Sequence, residues 1–228
     1  IFPSYQYVNL ENSEIFELAQ NDINEFLNLF KAPLIIDGIH RVSAVLLNKI
    51  QVLVDKNKQK DSSFSEWISI LDSSFIIFRI EPYFENFTKR LVKSPKIYFY
   101  DTGLACYLLG IKNAEQVLRD PLMENLFENM AVLEVLKSQY NKGEEKLLYY
   151  FRDSKGFEID LIIQNWRSIV PVEIKAASTF NAEFAKNLKK FTGFAKNVMH
   201  PTVIYSGNLE YESNGVKYLN FKNCGSLV

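Results

Sequence analysis

Cysteine and histidine are scarce in this sequence, with two of each among 228 residues. Cys106 and Cys224 lie in unrelated sequence contexts, and neither has a CxxC motif or a cluster of cysteine and histidine near it. A disulfide framework and a zinc site with the usual ligand spacing are therefore not expected. This pattern favours free thiols in a reducing, cytoplasmic setting.

Long hydrophobic runs are also missing. The apolar runs, such as residues 75–78 and 161–163, are far shorter than the roughly 20 residues that a membrane-spanning helix needs. Asn9 and Glu11 interrupt the apolar core that a signal peptide would have near the first residue. We therefore expect a cytoplasmic protein with no membrane partner.

Neither sign of charge is in excess. The chain has 26 basic and 27 acidic residues, which gives a formal net charge of −1. No long-range field therefore predicts a nucleic-acid partner, and such a partner would have to bind a local basic patch. Hydrophobic residues make up 47% of the sequence, which is typical of a globular protein with one large or two small domains.

The first residues predict the start of an α/β fold. Residues 5–10 alternate in the manner of a strand, and apolar residues then recur at helical spacing from Ile15 to Phe30. Pro33 ends this pattern, and the run PLIID that begins there has the composition of a buried parallel strand ending in Asp37. Ligand sites of α/β proteins lie at the carboxyl ends of such strands. Asp37 is thus a candidate cofactor ligand, although a strand ending in aspartate is more often followed by a simple turn.

The stretch KAPLIIDGIHRV, with the helix predicted at 45–55, resembles the Walker B region of a prokaryotic AAA-like ATPase family that carries the domain of unknown function 4143. The family pattern is closer to LIIDEIQRV, and the resemblance implies that Asp37 holds magnesium. Gly38 replaces the glutamate that would orient water, and no glycine is followed by lysine, so the GxxxxGK[ST] phosphate loop is missing. We therefore expect no bound ATP and interpret residues 1–60 as the remnant of a P-loop ATPase domain.

Residues 61–110 resemble part of a winged-helix segment. An apolar stripe on residues 64–71 predicts a buried helix, and strands are predicted at 75–82 and 96–101. Between the strands lies a basic arm that contains Lys89, Arg90, Lys93 and Lys96. This arm is either a wing that contacts a phosphate backbone or an ordinary solvated loop. The run SPKIYFYDTGLACYLLGI resembles the most recognisable stretch of the same family, and it predicts a helix at 104–109.

Residues 111–228 predict a mixed α/β sheet flanked by helices, similar to the core of restriction endonucleases. The predicted elements are a long helix at 122–140, strands at 149–152, 157–163 and 169–176, a helix at 182–194, a strand at 202–206 and a hairpin around Asn214 and Gly215. The whole chain is thus interpreted as a truncated P-loop-like fragment followed by a nuclease-like domain.

Two central strands of this domain predict a shared face of charged residues. Alternation places Glu158 and Asp160 on one face of the first, and Glu173 and Lys175 on the matching face of the second. Asp160 followed thirteen residues later by Glu-x-Lys is similar to the PD-(D/E)xK motif of metal-dependent nucleases. There, carboxylates bind magnesium and the lysine polarises the attacking water. Glu128, on the long helix, is the expected additional ligand.

The motif gives each residue a role. We expect a catalytic set of Asp160, Glu173, Lys175 and Glu158, and a magnesium or manganese site formed by Glu128, Asp160 and Glu173. DNA is the expected partner, with a phosphate backbone contacted by Lys186, Lys189 and Lys190. The alternative is the solvent-exposed face of an edge strand, with Asp160 and Lys175 in a modest ion pair.

Three functions remain open on the sequence. The first is a metal-dependent nuclease, or a DNA-binding module derived from one. The second is an ATP-binding AAA-type ATPase, which the resemblance implies and the missing phosphate loop opposes. The third is a catalytically inert interaction or scaffold module in an oligomer.

Overall fold

The computed structural model describes residues 6–22, 25–26, 29–30, 34–37, 68–84 and 94–228. The chain divides into two units, Ile1–Phe78 and Arg79–Val228. Strands form a two-stranded sheet near the start of the chain and a separate eight-stranded sheet that carries the candidate site.

In the first unit, strands β1 (Gln6–Asn9) and β2 (Leu34–Asp37) pair in parallel, with Asn9 opposite Asp37. Between them, helix α1 (Ser13–Asn21) begins after Asn12, whose side chain accepts hydrogen bonds from two backbone N–H groups of the first turn. The predicted parallel strand ending in Asp37 is confirmed. Gly38 and the helix predicted at 45–55 lie outside the described residues, and two strands with one helix do not establish a P-loop fold.

The middle of the chain contributes two strands to the large sheet. Residues 68–73 are helical, as the stripe at 64–71 predicted for its second half. Strands β3 (Ile77–Pro82) and β4 (Lys96–Phe99) follow and form one edge of the eight-stranded sheet. Three residues of the predicted basic arm lie outside the described residues: Lys89, Arg90 and Lys93.

The remaining strands complete a mixed sheet. They are β5 (Leu148–Arg152), β6 (Glu158–Asn165), β7 (Ser168–Lys175), β8 (Thr202–Tyr205), β9 (Tyr211–Ser213) and β10 (Val216–Asn220). The order across the sheet is β4-β3-β5-β6-β7-β8-β10-β9. Strands β5, β6 and β7 are antiparallel neighbours, whereas β7, β8 and β10 run parallel. The predicted mixed α/β sheet is therefore confirmed.

Helices cover the sheet of the second unit. In chain order they are α2 (Thr102–Leu108), α3 (Ala114–Arg119), α4 (Met123–Asn141), a 3-10 helix (Ala182–Ala185), α5 (Lys186–Thr192) and a closing 3-10 helix (Phe221–Leu227). The helix predicted at 182–194 is thus a 3-10 turn followed by a shorter α-helix. Helix α4 contacts β4, β7 and the closing 3-10 helix. Among the described residues no helix is long and apolar enough to span a membrane.

The two faces of the sheet differ in character. Helix α5 packs on a face whose buried core includes Phe151, Phe157, Ile159 and Phe191. Because side chains alternate along a strand, Glu158 and Asp160 point to the opposite face of β6.

Strand β7 lies in the interior of the sheet, between β6 and β8, and Glu173 is only 2% exposed. The alternative reading of Glu173 as part of the solvent face of an edge strand is therefore wrong. The edge-strand interpretation failed because a Glu-x-Lys sequence does not specify which strands pair on either side of its own strand.

Candidate functional site

The antiparallel hairpin of β6 and β7 brings the predicted motif together. Its strands are joined by a two-residue turn, and the register pairs Leu161 with Val172, which places Asp160 and Glu173 on neighbouring positions of the two strands. Asp160 Oδ2 accepts a hydrogen bond from the backbone N–H of Ile174 at 2.8 Å. The hairpin thus fixes one carboxylate against the strand that carries the other.

Lys175 completes this group. Its Nζ lies 2.9 Å from Glu173 Oε2 and 3.8 Å from Asp160 Oδ2, so the three side chains meet in space as the alternation predicted. Burial lowers the pKa of Lys175, but the charges of Asp160 and Glu173 outweigh burial and raise the pKa above its ordinary value. Lys175 is therefore a cation at neutral pH, with a side chain that is 37% exposed. The catalytic roles assigned from the motif stay predictions.

Glu173 has one oxygen that lacks a partner. Lys175 binds Oε2, whereas Oε1 is buried without a hydrogen bond to any described residue. A buried carboxylate oxygen left unpaired is costly, and such atoms are rare unless an ion or water satisfies them. Glu173 Oε1 is therefore a buried acceptor whose hydrogen-bonding capacity the described residues leave unused.

Asp160 has a strongly altered acidity. Burial raises its pKa most, the charges of Glu173 and Glu128 raise it further, and Lys175 and Lys96 lower it, with a result of about 8. Crowded carboxylates retain protons in this way unless another positive charge neutralises them. Without such a charge, Asp160 carries a proton through much of the neutral range.

Glu128, from helix α4, belongs to the same group. Its Oε1 accepts hydrogen bonds from Lys96 Nζ at 2.8 Å and from the Tyr98 hydroxyl at 2.6 Å. Burial and the Glu128 charge raise the pKa of Tyr98 well above its ordinary value, so the hydroxyl stays protonated and donates. The predicted helix glutamate is thus close enough to Asp160 to alter its acidity.

The neighbouring Asn129 explains why α4 holds this position. Its side chain accepts a hydrogen bond from the backbone N–H of Phe99 and donates one to the backbone C=O of the same residue. A buried asparagine that pairs with both backbone polar groups of one residue in this way fastens α4 to the end of β4. Lys96 and Tyr98 lie on β4, so this attachment sets them against Glu128.

Glu158 is bound by two cations. Lys96 Nζ lies 2.5 Å from its Oε1, and Arg152 Nε lies 2.5 Å from its Oε2. Both oxygens of this predicted catalytic residue are therefore engaged in ion pairs. Glu128, Glu158, Asp160 and Glu173 are called the carboxylate cluster below.

Sequence reasoning assigned Lys96 to the wrong surroundings. Lys96 begins β4, as the strand predicted at 96–101 required, but the basic side chain expected on a wing or a solvated loop is 19% exposed and contacts two carboxylates. Tyr98 and Arg152 were not identified at all. The alternation of KIYF, which places Lys96 and Tyr98 on one face of the strand, is the signal that points to this pair.

The donor chemistry of the cluster fits magnesium or manganese. All its ligands are carboxylate oxygens, which these hard cations prefer, and Glu173 supplies an unpaired one. In the part of the chain that the structure describes, no three acidic, histidine or cysteine side chains already have metal-site geometry. This agrees with the engagement of Glu128 and Glu158 by Lys96.

Other predicted residues lie outside this cluster. The side chain of Asp37, the candidate cofactor ligand, lies outside the described residues. Helix α5 carries three exposed lysines, Lys186, Lys189 and Lys190. Lys190 Nζ lies 4.1 Å from the centre of the Phe157 ring, beside the turn between β5 and β6.

Comparisons with known proteins match parts of the chain. Residues 123–224 match the family model of the domain of unknown function 4143, and residues 13–115 match that of the domain of unknown function 8612. The resemblance to the domain 4143 is therefore confirmed for 123–224, a segment that contains the whole carboxylate cluster and Lys175.

Two curated relatives are each described as an uncharacterized protein. One is from Mycobacterium tuberculosis and the other from Mycobacterium bovis, and each is 34% identical to this chain over 113 residues. The alignment covers 50% of this chain but only 25% of each relative. The chain thus matches a quarter of the length of these relatives, and their descriptions assign no activity.

Proposed function

We propose that the second unit is a metal-dependent nuclease module that binds DNA and hydrolyses phosphodiester bonds at the carboxylate cluster. The observation that carries this proposal is the buried Glu173, which has Lys175 on one oxygen and no partner from the described residues on the other. Asp160 lies beside it, and its high pKa marks a place where positive charge is lacking.

The resemblance of the sequence motif to restriction endonucleases supports the same proposal. The helix that carries Glu128 packs against β7, β6 and β7 form an antiparallel hairpin, and β8 then adds in parallel beside β7. Fold alone does not establish activity, and the chemistry of the carboxylate cluster is therefore the main support for the proposed activity.

Asp160, Glu173 and Glu128 would hold the metal ion. A divalent cation in such a site lowers the pKa of bound water and neutralises charge on a phosphate. Lys175 donates to Glu173 Oε2 and is partly open to solvent, so its ammonium is able to orient a water or a phosphate oxygen.

Basic residues at the same end of the sheet would bind the DNA backbone. Arg152 ends β5, Lys155 is exposed in the turn that follows, and Lys190 lies over Phe157 at the start of β6. Phosphate groups are bound by lysine and arginine without regard to base sequence. The proposed substrate is therefore recognised through its backbone.

Cleavage assays with the whole chain test this proposal. Labelled linear duplex, single-stranded and branched DNA would be incubated with Mg²⁺ or Mn²⁺, and with EDTA. We expect metal-dependent cleavage that is lost in the near-isosteric variants Asp160→Asn and Glu173→Gln. Glu134→Gln is the matched control, because Glu134 lies on the same helix as Glu128 but pairs with Lys137 on the surface.

Two outcomes would contradict the proposal or its assignment to the carboxylate cluster. If the protein binds no Mn²⁺ and cleaves none of these substrates, the nuclease proposal is wrong. Cleavage that survives in both Asp160→Asn and Glu173→Gln would instead come from a contaminant or from another site.

An inert scaffold is the second candidate function. The observation that favours it is the pairing of the cluster with Lys96, Arg152 and Lys175, which offsets most of its negative charge without a metal. A scaffold would keep its stability when Mn²⁺ is added, whereas a metal-binding protein is stabilised by the ion. Thermal unfolding with and without Mn²⁺ distinguishes the two.

We do not extend the proposal to ATP hydrolysis. The link to AAA-like ATPases rests on the strand that ends in Asp37, and the residue after it, Gly38, has no side chain that orients water. The 228 residues contain no GxxxxGK[ST] loop. Calorimetry with ATP and magnesium is expected to detect no binding to this chain.

A further inference from the structure

Lys96 lies between two carboxylates of the cluster. Its Nζ is 2.8 Å from Glu128 Oε1 and 2.5 Å from Glu158 Oε1, and the side chain is largely shielded from solvent. One cation that bridges an oxygen from each of two carboxylates is also the arrangement that a bound metal ion adopts. Lys96 thus occupies a position where cations bind.

The surroundings hold Lys96 in this place. Tyr98 donates to the same Glu128 oxygen, Arg152 binds the other Glu158 oxygen, and the Lys96 ammonium lies 5.5 Å from the centre of the Tyr150 ring. Each of these contacts fixes one partner of the bridge. The ion pairs are therefore part of a built site and not a chance meeting of surface side chains.

We propose that the Lys96 ammonium takes the place of a second metal ion, so that the cluster binds a single Mg²⁺ or Mn²⁺ at Asp160, Glu173 and the second oxygen of Glu128. This inference rests on the proposed function, because it assumes that a divalent cation binds at the cluster. Beyond the proposed function, the inference states how many metal ions bind at the cluster and which residue sets that number.

The oxygens that remain for a metal support one ion. Glu158 has both oxygens bound to cations, and both hydrogen bonds to Glu128 use Oε1. This leaves the unpaired Glu173 Oε1, the carboxylate of Asp160 and the second oxygen of Glu128. Magnesium is commonly bound by one or two carboxylates with water in the other positions, so this set is enough for one ion.

The charge of the site points the same way. The four carboxylates with Lys96, Arg152 and Lys175 carry a formal charge of −1 when all are ionised. One divalent ion brings this to a small positive value that a bound phosphate offsets. A second ion would add an uncompensated double charge to a partly buried site, which is unfavourable.

Removal of the Lys96 charge should therefore create a second metal site. In Lys96→Met the facing oxygens of Glu128 and Glu158 lose their shared cation, while Tyr98 still donates to Glu128 and Arg152 still binds the other oxygen of Glu158. A divalent ion that binds the same two oxygens would replace the lost positive charge, and the variant with two ions would carry one unit of positive charge less than the wild type with two. The second ion would lie close to the first, since Glu128 would contact both.

Metal-binding stoichiometry of the full chain tests this inference without any assay of cleavage. Calorimetric titration with Mn²⁺ is expected to give one ion in the wild type and two in Lys96→Met. Lys96→Arg keeps the charge and should stay at one. Lys137→Met, which removes a lysine from a surface pair with Glu134 on α4, is the matched control and should also stay at one.

Two further measurements guard against misfolding and adventitious binding. The double variant Lys96→Met with Glu158→Gln removes the Lys96 ammonium and also one of the two carboxylates that it bridges. This variant should fold and should bind one Mn²⁺ ion, as the wild type does. Electron paramagnetic resonance of Mn²⁺-loaded Lys96→Met should show two spin-coupled ions. An uncoupled spectrum would mean that the added ion binds elsewhere, which overturns the inference.

The outcomes also separate this inference from the proposed function. Two ions in the wild type, or one ion in Lys96→Met, would overturn the role of Lys96 while leaving the metal-dependent site intact. No Mn²⁺ bound to the wild type would overturn both.

Discussion

Asn129 and Phe99 are joined by two hydrogen bonds. The Phe99 backbone N–H donates to Asn129 Oδ1 at 2.7 Å, and Asn129 Nδ2 donates to the Phe99 backbone C=O at 2.9 Å. This pair fastens the helix that carries Glu128 to the strand that carries Lys96. The geometry of the carboxylate cluster therefore depends on Asn129, the residue next to Glu128, whose side chain bonds to the Phe99 backbone.

Replacement of Asn129 tests this dependence. Asn129→Ala leaves two peptide groups of Phe99 without their partner, so we expect a loss of about 1–3 kcal/mol in the free energy of unfolding. Urea denaturation measures it. Asn141→Ala, at the exposed end of the same helix, should change stability by no more than about 0.5 kcal/mol. Equal stability of the two variants would contradict the attachment.

The pKa of Asp160 predicts how stability varies with pH. The pKa is about 8 in the folded protein and 3.8 for an ordinary aspartate, so the folded state holds an extra proton between these values. The stabilising effect of that proton is complete below pH 3.8 and is lost as pH rises towards 8. In EDTA we therefore expect the free energy of unfolding to fall across this window, with a slope no steeper than about 1.4 kcal/mol per pH unit.

Asp160→Asn isolates this effect. The amide does not titrate, so the variant should lose most of the slope and be more stable than the wild type at pH 8. Urea unfolding at several pH values measures both. If the variant keeps the full slope, the pH dependence belongs to other groups and the assignment to Asp160 is wrong.

The meeting of Asp160, Glu173 and Lys175 could be predicted from the sequence. Alternation on two short strands shows which side chains share a face, and a two-residue connection fixes their register. Asp160, Glu173 and Lys175 lie on one such hairpin, so local patterns suffice to bring them together. Glu128 was predicted from the resemblance to the nuclease motif, in which a glutamate from a preceding helix often joins the two carboxylates.

Lys96 depends on information that local patterns lack. It reaches Glu158 only because β4 and β3 join the same sheet beside β5 and β6, an order that involves strands distant in sequence. The burial of Glu173 has the same origin, since it requires β8 to cover the open edge of β7. Pairing between distant strands is set by the whole core and not by any single segment.

The loop after β8 supports the segment that follows Lys175. Ser206 donates hydrogen bonds to the backbone C=O groups of Ala176 and Ala177, and a Cβ at Gly207 would collide with the backbone C=O of Ser178 and the ring of Tyr205. Gly207→Ala should therefore lower the free energy of unfolding by about 1–3 kcal/mol, because the backbone must shift. Chemical denaturation measures this change.

Gly193→Ala is the control for this substitution. Gly193 follows α5 with an ordinary backbone conformation, and its nearest neighbour would be 3.4 Å from an added Cβ. We expect a change close to zero or a gain of less than about 1 kcal/mol. A similar loss in both variants would show that the close approach at Gly207 is not the cause.

Lys175 gives the sharpest test of the proposed chemistry. Its Nζ contacts Glu173 and lies near Asp160 while remaining 37% exposed, so it is placed to act on a water or phosphate beside the metal. Lys175→Met should reduce kcat for DNA cleavage by about 10²–10⁴-fold, the range for loss of a positioned catalytic group. Mn²⁺ should still bind, because the carboxylate ligands are unchanged. Lys137→Met, a surface lysine, should cleave at the wild-type rate, and wild-type cleavage by Lys175→Met would contradict the role given to Lys175.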